Sequence, residues 1–303
     1  MIQIRRLLQH DVDAAARLLY ESFSVVYRQR GHNPPFPNIE SAVWLCRAYL
    51  DLDPEGCAVA EQGGQTVGVG FAHLRGPVAS IGPVAARPGA PPGIGRRLME
   101  HFRDLSAGFE SVRLFQDSFN PDSFGFYTRL GYAVVDVAPY LLADRLTSPE
   151  QGHPRAVRLA SAADLIDIES YDRARTGAAR GRDLSLLAAS GVALVVEDGG
   201  ARQSGHSEGR NILGYLFYRS LPVRVIIGPA VAESQEIMMM LIDAVAAALP
   251  GRAAVIRGSA AAPAVLRRAF DRGFRVDHLG NLMVAGTYRT PPAQLYSLFP
   301  ESL

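Results

Sequence analysis

An apolar run from Val78 to Ala86 ends in a Pro/Gly turn, Arg87-Pro88-Gly89-Ala90-Pro91-Pro92, that leads into Gly93-Ile94-Gly95. Directly afterwards Leu98, Met99, Phe102 and Leu105 recur at the spacing of one helix face, so the pattern predicts strand, turn and helix in that order. Val67–Leu74 reads as a strand before this unit, and the run closing on Leu114-Phe115-Gln116-Asp117 as one after it. The pattern then returns. Ile4-Arg5 and Asp11 are echoed by Val157-Arg158 and Asp164, each ahead of an apolar helical stretch. Val67-Gly68 and Phe71 reappear as Leu213-Gly214 and Phe217, Ile81–Ala86 as Ile227–Ala232, and Gly131-Tyr132 as Gly273-Phe274. So long a period indicates a duplicated domain, because solenoid units run to only some 20–50 residues. The polar Pro/Gly segment from Thr147 to Pro154 is the join.

Glycines at the mouth of a helix let backbone N–H groups approach a ligand, and the helix dipole favours an anion there. The Gly93–Gly95 segment is therefore a candidate phosphate or pyrophosphate site. It is neither of two common ones: Leu98 breaks the Gly-x-Gly-x-x-Gly dinucleotide pattern, and a Walker loop needs a lysine. This chain has none, all 31 of its basic residues being arginine, which also excludes Schiff-base and pyridoxal phosphate chemistry. A formal charge of +1 with 48% hydrophobic residues points away from disorder and from nucleic acid as a partner. Cys46 and Cys57 are too few for a disulfide framework and lack metal spacing. No apolar run reaches the roughly 18 residues of a membrane span, and Met1–Arg6 is unlike a signal peptide, so a cytoplasmic protein is expected.

A second motif follows: Asn120-Pro-Asp-Ser123, then Tyr127 four residues before Gly131-Tyr132. Together, the two motifs resemble the GNAT superfamily of N-acetyltransferases, over nearly the whole chain. That resemblance implies an α/β fold (an α+β mixed sheet): two tandem GNAT-like domains, each a mostly antiparallel mixed sheet flanked by helices. It implies an N-terminal catalytic domain over 1–146, a linker over 147–154, a degenerate second domain over 155–287 and a C-terminal extension over 288–303. It also implies acyl transfer from acetyl-coenzyme A or another acyl-CoA to a primary amine of a small molecule or peptide, without a metal. Gly93, Ile94, Gly95 and Arg96 fall on the pyrophosphate cradle, Asn120 and Ser123 on the second cofactor motif, and Val84, Ala85 and Ala86 on the strand that offers an amide to the thioester oxygen. Tyr127 falls on the position of the acid that protonates the leaving thiolate. Where the family has Gln or Arg in the cradle this chain has Ala90, and Pro91 and Pro92 bring no N–H.

His73, closing the Val67–Leu74 strand, is the candidate base, ahead of Glu61 and Asp117. Arg28, Arg30 and His32, in the segment between the first two predicted helices, are candidates for a carboxylate or phosphate on the acceptor. Trp44 is expected in the core, and Pro291–Leu303 is expected to pack on a domain face. The second copy has Glu233 and Glu236 at the corresponding helix start, no Gly-x-Gly and Ala269 in place of the tyrosine, so the chemistry is expected in the first copy alone. Two other readings stand beside this one. A non-catalytic acyl-CoA sensor fits the proline-bearing loop. A serine hydrolase would use Gly205-His206-Ser207-Glu208-Gly209, but the flanking pattern there is of a hairpin loop. The oligomeric state is left open.

Overall fold

The computed structural model describes residues 2–150, 156–198 and 211–297. The hydrolase motif at Gly205–Gly209, the second half of the linker and the end of the C-terminal extension lie outside the described residues. In chain order the elements are β1 (Gln3–Arg6), α1 (Val12–Gln29), α2 (Ile39–Leu52), β2 (Cys57–Gln62), β3 (Gln65–Arg75), β4 (Val78–Ala86), α3 (Ile94–Leu105), β5 (Ser111–Asp117), α4 (Pro121–Arg129) and β6 (Ala133–Ala143). The second copy contributes β7 (Val157–Leu159), α5 (Leu165–Thr176), α6 (Gly181–Ser190), β8 (Val192–Glu197), β9 (Ile212–Ser220), β10 (Val225–Ala232), α7 (Gln235–Ala248), β11 (Ala254–Arg257), α8 (Pro263–Asp271), β12 (Phe274–Gly286) and β13 (Ala293–Leu295).

Two compact units result. One holds the residues up to Leu114 together with Phe119–Ser123; the other holds Phe115–Ser118 and the chain from Phe124 onward. In the first, the sheet order is β1-β2-β3-β4-β5, antiparallel except for β4 and β5. Period-two alternation sends successive β3 residues to opposite faces. Gly68 and Gly70 meet α3, and a Cβ on Gly68 would sit 2.5 Å from the Ile94 side chain, so glycine is needed for this close approach. On the other face, Phe71 packs edge-on against Tyr49 of α2 at 5.2 Å. Along α3 the buried positions are Ile94, Leu98, Met99 and Phe102, the predicted face. Trp44, expected inside, is 55% exposed. Helix α2 buries Ala42, Leu45, Cys46 and Tyr49, a stripe at 3- and 4-residue spacing that Trp44 falls beside.

The second unit runs β12-β6-β11-β10-β9-β8-β7, with the end of β5 beside β12, where the Ser118 amide donates to the Leu279 carbonyl at 2.9 Å. Strand β6, the last of the first copy, therefore has second-copy strands on both edges: β11 along Tyr140–Ala143 and β12 along Ala133–Ala143. Alternation along β8 and β9 serves two cores: Leu194, Val196 and Leu216 join α7 and α8, while Val195, Tyr215 and Phe217 join α5 and α6.

The sequence echoes have matching structures. Arg5 holds Asp11 by two bonds, at 2.6 and 2.8 Å, and Asp11 caps the turn that opens α1 through the Leu8 amide. Arg158 holds Asp164 at 2.9 and 2.8 Å, and Asp164 caps the turn before α5 through the Ser161 amide. Gly82-Pro83 and Gly228-Pro229 are both cis, each at a register shift in its strand.

Candidate active site

Strand β4 pairs with β5 only over Val78–Ser80, opposite Ser111–Arg113. From Ile81 to Ala86 it keeps β3 on one edge, and no strand among the described residues pairs with the other. An open edge presents alternate N–H and C=O groups ready for an extended, amide-bearing ligand. Val84 is half-buried, Ala85 buried and Ala86 exposed. Ser22 of α1 donates to the Ala86 carbonyl at 2.8 Å, fixing the end of the strand.

The turn after Ala86 delivers the chain to Gly93, which caps α3 in the left-handed conformation at φ 103° and offers no side-chain cap. A Cβ at Gly93 would meet nothing within 4 Å, so the space over the helix mouth is open. The first intrahelical bond is from Arg97 N to Gly93 O at 3.0 Å, which leaves the Ile94, Gly95 and Arg96 amides without helical acceptors. Arg96 is exposed near Glu100 (3.9 Å), and Arg97 reaches the Ile2 carbonyl. Three aligned amides, a dipole and an exposed guanidinium can bind a pyrophosphate.

In the second copy the equivalent helix mouth is closed to that use. Ser234 caps α7 through the Ile237 amide, Glu233 pairs with Arg175 at 2.9 Å, and Glu236 adds a further carboxylate in the first turn.

The predicted acceptor-side residues gather in the first unit around Phe119–Ser123. Arg30 donates to the Phe119 carbonyl and pairs with Asp122, both at 3.2 Å; His32 stacks on the Phe119 ring at 4.1 Å. Arg28 is exposed. Asn120 accepts from the Ser123 amide at 3.3 Å, and the Ser123 hydroxyl donates to the Asn120 carbonyl at 3.0 Å. That pair shapes the turn into α4.

His73 has no exposed surface. Its Nδ1 lies 2.6 Å from Asp53 Oδ2, and Asp53 also takes two bonds from Arg75. Burial works to raise the Asp53 carboxyl, but His73 and Arg75 outweigh it and hold the group at about 2. His73 Nε2 and the Ser80 hydroxyl, its register partner across the sheet, are both buried without a hydrogen-bond partner. Glu61 is taken up by Arg5, as Glu197 is by Arg158.

In the second unit Tyr127 is half-buried on α4, edge-on to Tyr132 at 6.1 Å. Burial, aided by the charge on Asp117, pushes its phenol up to about 12, so it carries its proton throughout the physiological range. The sequence reading missed the company Asp117 keeps. His278 lies 3.5 Å from Asp117 and 2.8 Å from Asp277, stacked on Tyr140 at 4.8 Å. Nearby, Asn281 bonds Gln116 at 2.7 Å. Only the placement of β12 beside β5 reveals this set, which spans 165 residues of sequence.

A model of the acetyltransferase (GNAT) family matches residues 16–132, and one of an acetyltransferase (GNAT) domain matches 168–297. No curated protein matches the chain. Among solved structures, a Pyrococcus horikoshii protein provisionally assigned as an acetyltransferase aligns with TM-score 0.73 at 17% identity, covering 99% of this chain and 95% of its own. A GCN5-related N-acetyltransferase from Sphaerobacter thermophilus aligns at 0.63 and 16%, covering 95% and 96%. A tandem GNAT protein from the clavulanic acid biosynthesis pathway aligns at 0.59 and 13%, covering 94% and 98%. At these identities the likeness is one of fold. Among the described residues no helix is long and apolar enough to cross a membrane.

Proposed function

Because the chain belongs to the GNAT acetyltransferase family, with two such domains in tandem, we propose that it transfers an acetyl or other short acyl group from acyl-coenzyme A to a primary amine of a small molecule or peptide. The observation that carries this reading is an uncapped, open helix mouth at Gly93 beside an edge of β4, from Ile81 to Ala86, that no strand among the described residues pairs. The amides of Ile94, Gly95 and Arg96 take the diphosphate, with Asn120 and Ser123 completing the cofactor side. The edge of β4 takes the amide-bearing arm, and an N–H within Val84–Ala86 takes the thioester oxygen.

The acceptor nitrogen attacks the thioester carbonyl directly, a C–N bond forms, and the charge that develops on oxygen is met by that amide, a contribution of about 3 kcal/mol to the barrier. As the C–S bond breaks, Tyr127 gives its proton to the thiolate. The proton lost by the amine goes to His73. His73 Nδ1 lies against Asp53, while its Nε2 and the Ser80 hydroxyl are each without a hydrogen-bond partner, so a proton from the acceptor would have to reach this buried ring through water. Replacing His73 with Gln is expected to lower kcat; an unchanged kcat removes His73 from the mechanism. Arg28, Arg30 and His32 line the acceptor site and favour an acceptor that also carries a carboxylate or phosphate.

Pro91 and Pro92 keep the sensor reading in view, since they withdraw two donors from the loop. Thiol release from acetyl-coenzyme A across small amines, polyamines, amino acids and peptide N-termini decides between the two. Release above the no-enzyme rate with any acceptor supports the transferase; tight binding with no release across the panel supports the sensor.

A further inference from the structure

The second copy repeats the split in the sheet, but there the split is filled. Strand β10 pairs with β11 only at Val225 and Ile226, opposite Ala254 and Val255. Beyond that point, Ala230–Ala232 pair antiparallel with Leu295–Ala293 of β13. The next residue crosses to the other wall: the Tyr296 amide donates to the Arg257 carbonyl of β11 at 2.9 Å, and Arg257 reaches the Ser297 carbonyl at 3.3 Å. The segment is held by its side chains as well. Ala293 and Leu295 are each 1% exposed within the apolar core of α7 and α8. The Tyr296 hydroxyl donates to Asp136 at 2.6 Å and accepts from Gln294 at 2.7 Å. Opposite, a Cβ on Gly228 would lie 2.8 Å from the Tyr296 carbonyl oxygen, so the wall is shaped to the peptide.

We propose that Ala293–Ser297 is a built-in ligand of the second copy's cleft: an extended peptide that takes the strand-edge hydrogen bonds an acyl-CoA arm would take, leaving one thioester site per chain. Peptide and pantetheine arm share the chemistry that makes this substitution work, since both present amide N–H and C=O groups to a bare strand edge. The Ser234 cap and the carboxylates of Glu233 and Glu236 complete the closure by removing the anion site at the helix mouth. The inference rests on the acyl-CoA reading of the first copy.

Two measurements on the full chain separate the failure of one reading from the failure of the other. Calorimetric titration with coenzyme A is expected to give one equivalent, with hydrogen-exchange protection gained at Gly93–Arg96 and none at Ser234–Met238. Two equivalents, or protection at Ser234–Met238, overturns the built-in ligand. No binding at all instead defeats the acyl-CoA reading. Closure is then judged on the segment itself: amides across Ala230–Ala232 and at Tyr296 should exchange at least about a thousandfold slower than in an unstructured chain, and rapid exchange overturns it. The variant Leu295→Glu should raise exchange at Ala230–Ala232 while leaving the Gly93–Arg96 footprint in place. If that variant does not fold, the native footprint decides alone.

Discussion

Single residues set the charge balance of the first unit. Asp53 holds buried His73 and Arg75 together, and its carboxyl sits at about 2 rather than its ordinary 3.8. A depressed carboxyl stabilises fully above its unfolded value and ceases to do so as pH falls through the folded one. The contribution is about 2 kcal/mol, present above pH ~4 and gone near pH ~2. Asp53→Asn should lower the urea-derived stability at pH 7 by about that amount and flatten its decline between those pH values; an unaltered acid slope would show that the carboxylate is not the linked group. For Tyr127→Phe the expected effect is catalytic: kcat falls by about a hundredfold while KM for acyl-CoA stays within about twofold. Tyr127, Asn120 and Gly93 were visible in the sequence because motif residues keep short, fixed spacings. Asp53 with His73, and Asp117 with His278, were not, because each pair meets through strand or loop placement that no local spacing encodes.

At the level of elements, α3 and α7 occupy equivalent places with opposite finishes. Gly93 sits at φ 103° where an L side chain is strained by about 1–2 kcal/mol. Gly93→Ala should therefore loosen coenzyme A binding about tenfold, read by titration, through a tilted helix mouth. Ser234→Ala should cost about 1 kcal/mol of stability and leave that affinity untouched. A matched loss of affinity in both variants would mean that the division between the two helix ends has been misjudged. Helices α1, α2, α3, α5 and α7 and the strands β3, β4, β9 and β10 were legible from period and punctuation. Strand β13 was not: Ala293-Gln294-Leu295 is too short to show alternation, and its neighbours Pro291 and Pro292 read as a surface loop. The same shortness explains why packing on a domain face was the natural expectation for a segment that is in fact inserted as a strand.

For the whole molecule, duplication was readable from the echoes, down to the paired Arg5–Asp11 and Arg158–Asp164 devices. Strand order was not, because an alternating run declares which faces are wet and dry but not which strand lies on each edge. Placing β6 between β11 and β12 has a direct consequence for dissection. A fragment ending at residue 146 would leave both edges of β6 bare, so it should aggregate when made alone and be rescued when the fragment from residue 147 onward is produced with it. A soluble, cooperatively melting 1–146 fragment would contradict that order. The same arrangement governs synthesis. On the ribosome, Ala133–Ala143 emerges more than a hundred residues before the strands that will flank it, and must wait unpartnered until both have been translated. Nascent chains of this protein should be clients of holding chaperones over that interval, and the two repeats, once interlocked, can no longer be inherited or discarded one at a time.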